Sequence, residues 1–188
     1  MSWFLGGIGH FNQEFLSTIK QITPSPLMQT ASDSMFLFAG GIPNTCKFKL
    51  DDSHQKNNWL QVGIGISQKS PRRFLSNDDW NQIVTNGDEE KIELDGHYVL
   101  LSWNLNRIIF VTDKLGLRDF YYCNDARGNI FFSTRIDWLA RLIPAEINFK
   151  EFGSRWLLFN QISSQSVLKS IHRIVSGSIL SIERNFLN

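Results

Sequence analysis

The chain has 188 residues and a formal net charge of +1, with 42% hydrophobic and 13% aromatic residues. Its length fits a single domain, residues 1–188, that can bury a substantial core without staples. The near-neutral charge gives no electrostatic reason to expect nucleic acid or a membrane surface as a partner. No segment approaches the roughly 18 apolar residues of a membrane span, and no basic stretch begins a secretory signal. The sequence therefore predicts a cytoplasmic protein.

The cysteines and histidines do not suggest a metal site. Cys46 and Cys123 form no Cys-x-x-Cys pair, so metal and redox motifs of that kind are absent. One disulfide is conceivable, but a reduced pair fits better with the lack of a secretory segment. The four histidines show no spacing typical of ligands, so no metal is expected.

The first half of the chain predicts four strands and two helices. Asn12 is expected to cap the first helix, and Pro24 ends it because proline cannot continue the hydrogen-bond ladder. The second helix begins with a cap at Ser76 and ends in a left-handed cap at Asn86-Gly87. The strands are expected at Ser2–Ile8, Met35–Ala39, Cys46–Leu50 and Trp59–Ser67, with a polar hairpin loop over Asp51–Asn58.

The second half predicts three pairs of strands and two helices. Ile136–Ile143 is expected to be helical up to Pro144, and Asn148 is expected to cap a helix with Phe152, Trp156 and Phe159 on one face. The strand pairs are Gly96–Trp103 with Arg107–Thr112, Phe120–Asn124 with Ile130–Ser133, and a last hairpin of His172–Ile174 with Ser178–Ile182. Many short strands with few helices indicate an α+β protein with two antiparallel sheets and outer helices.

Several segments resemble the class II glutamine amidotransferase domain that opens asparagine synthetases. Leu94–Trp103 and Phe110–Tyr122 resemble that family's L-D-G-x-F-A-x-x-x-W-D and A-R-D-x-x-G-x-x-P-L-Y-Y. Gly128–Ile136, Asn148–Phe159 and Ile171–Ile182 resemble later family motifs in the same order and spacing. The resemblance covers about residues 59 to 182. It implies an N-terminal-nucleophile hydrolase fold, a four-layer α-β-β-α sandwich of two antiparallel sheets.

The same resemblance points to candidate site residues. The family's working members carry a cysteine nucleophile where this chain has Ser2, which would need Met1 removed so that the free α-amine could act as base. Trp3 stands where the family usually has glycine and would crowd that nucleophile. Asp78 and Asp79 resemble a family segment whose acid binds the substrate amine, although a helix cap is the favoured explanation of this resemblance.

Other parts of the family's glutamine pocket have no counterpart. The Arg-Gly-Pro-Asp segment has no match near Cys46–Leu50, and the Asn-Gly pair of the oxyanion hole has no match near Trp59–Ser67. Asp119 replaces a proline of the family pattern, while Asp113 and Gly116 match as turn formers. Losing one oxyanion donor alone typically costs about 10²–10³ in rate. We therefore expect the domain not to hydrolyse glutamine.

The resemblance implies a degenerate domain of an ATP-dependent amide-forming enzyme, similar to those of β-lactam synthetases and lasso-peptide cyclases. In that family, ATP and Mg belong to a C-terminal synthetase domain with a Ser-Gly-Gly-x-Asp-Ser loop. No such loop is present here, because no strand, loop and helix follow Val175–Ser178. We expect no cofactor in this domain and a synthetase domain as its partner, and a homodimer is left open. Of two interpretations, one domain of a longer protein or a natural protein without a synthetase half, the first is favoured.

Two other functions fit the sequence. One is an active glutamine amidohydrolase that uses Ser2 as its nucleophile. The other is a binding module that holds a peptide or small molecule in the former glutamine cleft. The binding module is suggested by Gly63 and Gly65, which are expected to leave one face of a strand without side chains.

Overall fold

A computed structural model describes residues 1–32, 34–51, 58–68, 71–87, 94–158 and 165–183. Within these ranges the protein is α+β and has two antiparallel sheets, as predicted. The chain divides into two compact units, of which the first holds Met1–Ser2, Gly41–Arg118 and Ser176–Asn188, and the second holds Trp3–Gly40 and Asp119–Val175. The helices are α1 (Gln13–Ile22), α2 (Asn77–Thr85), α3 (Ile136–Leu142) and α4 (Phe149–Leu158). The strands are β1 (Trp3–Ile8), β2 (Met28–Ser32), β3 (Met35–Gly40), β4 (Cys46–Lys49), β5 (Asn58–Ile66), β6 (Asp95–Trp103), β7 (Arg107–Thr112), β8 (Tyr121–Asn124), β9 (Ile130–Ser133), β10 (His172–Arg173) and β11 (Ile179–Glu183).

The second unit is built on a six-stranded sheet in the order β10-β8-β9-β1-β3-β2. Strand β1 lies inside this sheet between β9 and β3, and all six of its residues are buried. Leu16 and Ile19 of α1 join Phe36, Phe131 and Trp138 in one hydrophobic cluster. This cluster covers one face of the sheet, and burial of large aromatic side chains supplies much of its stability.

The first unit is built on a five-stranded sheet in the order β11-β7-β6-β5-β4. Trp80 and Val84 of α2 pack with Trp59, Tyr98 and Leu100 in a second hydrophobic cluster. Because Trp59 is on β5 and the other two are on β6, α2 covers the face of the sheet at these strands.

Local chemistry explains where the helices begin and end. Asn12 caps α1, since its Oδ1 accepts a hydrogen bond from the Phe15 backbone N–H at 2.8 Å. Ser76 caps α2, and Gly87 follows this helix with a φ of +68°, as the sequence predicts. Asn148 precedes α4 and accepts a hydrogen bond from the Glu151 N–H at 3.4 Å.

Three differences from the expectations stand out. Strand β2 was missed because Gln29, Thr30 and Ser32 give it little apolar character, which suffices for a strand at the edge of a sheet. The face of β5 at its glycines is bare only in part, because the Trp80 ring fills the space beside Gly65. The last predicted hairpin, His172–Ile174 with Ser178–Ile182, is wrong.

Strands β10 and β11 belong to different sheets. Strand β10 pairs with β8, whereas β11 pairs with β7, so the two do not form a hairpin. The segment between them is fixed at both ends, because the Ile174 N–H donates to the Phe120 carbonyl at 2.9 Å and the Gly177 N–H donates to the Asp113 carbonyl at 2.8 Å. Ser176-Gly177 does form a turn, as predicted, but this turn leads from β10 of one sheet to β11 of the other.

Some expectations concern residues that the structure does not describe. The centre of the predicted loop Asp51–Asn58, residues 52–57, lies outside the described residues, as do Phe159 and the side chain of Trp156. Within the described part of the chain, no helix is both long and apolar enough to cross a lipid bilayer.

Candidate functional site

Ser2, the candidate nucleophile, is hydrogen-bonded to an arginine. It is buried, with 3% of its surface exposed, and precedes β1 directly in the chain. Its Oγ accepts a hydrogen bond from Nη2 of Arg118 at 3.0 Å. Arg118 is itself only 8% exposed, although it stands 116 positions further along the chain. A buried hydrogen bond to a charged group of this kind is stabilising.

A tight turn holds Arg118 in place. The buried carboxylate of Asp113 accepts hydrogen bonds from three backbone N–H groups, those of Leu115 at 3.1 Å, Leu117 at 3.0 Å and Arg118 at 3.0 Å. Gly116 completes the turn in the left-handed region, with a φ of +61°. The prediction that Asp113 and Gly116 form a turn is confirmed. This turn places Arg118 within hydrogen-bond distance of Ser2.

The backbone of Gly41 packs closely against the backbone of Ser2. A β-carbon at position 41 would lie 2.4 Å from the Cα of Ser2 and 2.8 Å from its backbone nitrogen. Gly41 also has a φ of +118°, a conformation that side chains rarely allow. The backbone nitrogen of Ser2, which would have to act as the base after Met1 is removed, is therefore closely packed.

Cys46 lies within the electrostatic reach of Arg118. Burial raises the pKa of the Cys46 thiol to about 11, while the positive charge of Arg118 opposes this rise. The thiol is therefore protonated at neutral pH and is not an activated nucleophile. Cys46 and Cys123 are both free and buried.

The candidate substrate-binding residues Asp78 and Asp79 are on α2, where Asp79 completes a capping box. Ser76 Oγ accepts a hydrogen bond from the Asp79 N–H at 3.3 Å, and Asp79 Oδ2 accepts one from the Ser76 N–H at 2.7 Å. Asp79 also accepts a hydrogen bond from Nη2 of Arg73 at 2.6 Å. This arginine, together with the capping bonds, holds the pKa of the Asp79 carboxyl well below its usual range.

The structure does not join these aspartates to Ser2. Asp78 is exposed, and neither it nor Asp79 forms a hydrogen bond with Ser2 among the described residues. The helix-cap interpretation of Asp79 is thus confirmed, and a role in substrate binding remains a prediction.

Arg118 can donate a hydrogen bond to Ser2, but it cannot accept the proton of the Ser2 hydroxyl. A guanidinium has five N–H donors and no acceptor, and it stays protonated at any physiological pH. In the part of the chain that the structure describes, no imidazole or carboxylate hydrogen-bonds to Ser2. Arg118 could stabilise negative charge near Ser2, but it could not remove the hydroxyl proton. Sequence reasoning missed Arg118, since only the three-dimensional fold places it beside residue 2.

A cavity of about 600 Å³ lies in the second unit between the start of α1 and the turn that joins β8 to β9. Its polar side chains serve the turn itself. Asp125 accepts hydrogen bonds from the backbone N–H groups of Arg127 at 2.8 Å and Asn129 at 2.9 Å. Asn129 Oδ1 in turn accepts one from the His10 N–H at 3.0 Å. These groups are used in holding the backbone, so the cavity offers weak evidence of a binding site.

No protein-family model matches the chain, and no curated protein matches it. Within the described residues, no group of three or more histidine, cysteine, aspartate or glutamate side chains is placed to hold a metal ion.

Proposed function

We propose that the chain is a glutaminase-like domain that does not hydrolyse glutamine and that serves an ATP-dependent amide-forming enzyme. The observation that carries this proposal is the hydrogen bond from Arg118 to Ser2. It pairs the Ser2 hydroxyl with a hydrogen-bond donor that cannot take up its proton, and the Ser2 backbone nitrogen, which would have to act as the base, is closely packed.

The architecture supports the likeness to the amidotransferase domain. Two antiparallel sheets with helices agree with the resemblance in the sequence, and β1 follows Ser2 as an interior strand of its sheet. We propose that the sheets form the four-layer α-β-β-α arrangement of N-terminal-nucleophile hydrolases. A nucleophile at the start of an interior strand would be held rigidly, as that chemistry requires.

The local chemistry supports the loss of activity. General acid–base catalysis typically contributes about 10²–10⁴ in rate, and one oxyanion donor contributes about 10²–10³. The family's Asn-Gly pair is missing from β5, and Ser2 is a weaker nucleophile than cysteine. These losses together would leave little glutamine hydrolysis.

In this proposal the catalytic step belongs to a synthetase domain that uses ATP and Mg. The substrate would supply its own amine, so that ammonia from glutamine would not be needed. The domain described here would then keep its fold because it packs on its synthetase partner.

Glutamate release from glutamine tests the proposal directly. The purified chain should release no more glutamate than its Ser2→Ala variant, and a Ser2→Cys variant should remain equally inactive because the family's pocket residues are missing. An active glutaminase run beside them shows that the assay works.

The alternative, an active amidohydrolase, makes the opposite prediction. The mature protein would begin at Ser2, as intact mass would show, and Ser2→Ala would abolish a measurable turnover. That pair of results would overturn the proposal of an inactive domain.

A further inference from the structure

A second cavity, which we call the β4–β5 pocket, lies in the first unit on the outer part of its sheet. Its volume is about 330 Å³, near the lower end of the range of about 300–1,000 Å³ for small-molecule sites. The residues that matter for its chemistry are Lys47, Gln61, Gly63, Gly65, Phe74 and Leu75.

The pocket is separate from the Ser2 site. Lys47 of β4 is paired with Gln61 of β5, so their side chains share a face. The neighbouring pair, Cys46 with Val62, faces the other way because side chains alternate along a strand. Neither Ser2 nor Arg118 is among the described residues that line the pocket.

Gln61 provides a buried donor that the protein does not use. Gln61 is 1% exposed, and within the described part of the chain its Nε2 has no hydrogen-bond partner. A buried donor left without an acceptor destabilises the folded protein. An acceptor brought by a ligand would recover that free energy on binding.

Two further unused donors lie on or against the same strand. Within the described residues, Nε1 of Trp59 and Nε1 of Trp80 are also buried without a hydrogen-bond partner. Trp59 lies two residues before Gln61 on β5, and Trp80 packs over Gly65 of the same strand. These unused donors favour a ligand that accepts hydrogen bonds.

Charge in the pocket favours an anion. The Lys47 ammonium donates a hydrogen bond to the Leu75 carbonyl, which fixes it at the pocket wall. Asp79 is the acidic group that acts on Lys47, but its carboxylate is already paired with Arg73. These three groups together carry one net positive charge.

Shape limits the size and polarity of the ligand. Gly63 and Gly65 give the pocket a floor without side chains, and neither tolerates one, because a β-carbon would meet the His97 carbonyl oxygen at 2.0 Å or the Trp80 ring at 2.4 Å. Phe74, an aromatic side chain that is 68% exposed, offers an apolar surface beside the opening.

We propose that the β4–β5 pocket binds a small monocarboxylate with an apolar tail. The carboxylate accepts hydrogen bonds from Nζ of Lys47 and Nε2 of Gln61, and the tail packs against Phe74 and Leu75. This proposal does not depend on whether Ser2 is catalytic.

Titration with hexanoate tests the proposal on the full chain, with hexanamide and hexanol as matched uncharged probes. Isothermal calorimetry should show saturable binding of hexanoate, with binding at least about tenfold weaker for both uncharged probes. Hexanoate should also raise the midpoint of thermal unfolding, because it binds the native state.

Two variants and one control locate the binding. Lys47→Met and Gln61→Leu, first checked for folding by circular dichroism, should each weaken hexanoate binding by about tenfold or more. Lys20→Met, on an exposed position of α1, should leave it unchanged. The Gln61→Leu variant keeps the test decisive if Lys47→Met does not fold.

Four outcomes would overturn the proposal. They are no saturable binding of hexanoate, equal binding of hexanol, retention of binding in both folded pocket variants, and selective binding of inorganic phosphate or glutamine in place of hexanoate.

Discussion

Arg118 donates a hydrogen bond through Nη2 to Oγ of Ser2 at 3.0 Å, and both residues are buried. A serine at this position in the chain suggests a nucleophile, but its partner here is a group that cannot take up a proton. The Asp113 turn fixes the guanidinium by binding the Arg118 backbone. We propose that Ser2 is a structural hydrogen-bond acceptor without a catalytic role.

The first prediction concerns stability at Ser2. The Ser2→Ala change removes the hydroxyl that accepts from Arg118 and should lower the free energy of unfolding by about 1.5–3 kcal/mol, as expected for a hydrogen bond to a charged group. Urea unfolding followed by fluorescence measures it. Thr18→Ala, an exposed hydroxyl on α1, should change stability by less than about 0.5 kcal/mol. Equal effects of the two changes would contradict a structural role for Ser2.

Gly41 and Gly87 offer a matched comparison. Both have positive φ, but a β-carbon at Gly87 would meet nothing within 4 Å, whereas one at Gly41 would lie 2.4 Å from the Ser2 Cα. Gly87→Ala should cost about 1–2 kcal/mol for the left-handed conformation alone. Gly41→Ala should cost at least about 3 kcal/mol, because backbone must move. Unfolding curves that coincide for the two variants would show that Gly41 does not pack against Ser2 as described.

Asp79 should make stability depend on pH in the acid range. Its pKa is lower in the folded state than in the unfolded state, so its contribution is fully present above the unfolded value of about 3.9 and is lost as the pH falls towards the folded value. Asp79→Asn should therefore destabilise the protein by about 1–2 kcal/mol at neutral pH, as for loss of a helix cap, and by progressively less below about pH 4.

The exposed Asp78 is the control for this prediction. Asp78→Asn should have a smaller effect, since Asp78 contributes only through its place in the first turn of α2. Urea unfolding at several pH values compares the two variants. A constant difference between wild type and Asp79→Asn from neutral to acid pH would contradict the ion pair and capping box.

The two cysteines should be unreactive in the native state. Burial raises the pKa of Cys46 to about 11 and that of Cys123 to about 12, and only the thiolate attacks thiol reagents. Iodoacetamide at pH 8 should leave the native mass unchanged and add two groups in denaturant. Rapid labelling of the native protein at either position would show that the burial is wrong.

The elements that follow from local chemistry could be predicted from the sequence. Asn12 and Ser76 cap helices because their side chains bond N–H groups three residues away, and the apolar start of the chain predicts β1. The Asp113 turn was also predictable, since its bonds reach at most five residues along the chain.

The site depended on contacts that no local pattern contains. Arg118 reaches Ser2 across 116 positions, and the ring of Trp80 fills the face beside Gly65 that the sequence left bare. The separation of β10 from β11 similarly depends on bonds to Phe120 and Asp113, which are far away in the chain. These relationships arise from packing and strand order, which periodicity and capping patterns in the sequence do not reveal.

Intact-mass spectrometry after incubation with a diazoketone analogue of glutamine tests the role of Ser2 most directly. Such a reagent alkylates an activated nucleophile that binds glutamine, and the buried, protonated cysteines should not compete. We predict that the mass of the native protein stays unchanged. A single adduct that maps to Ser2 and disappears in Ser2→Ala would contradict our account.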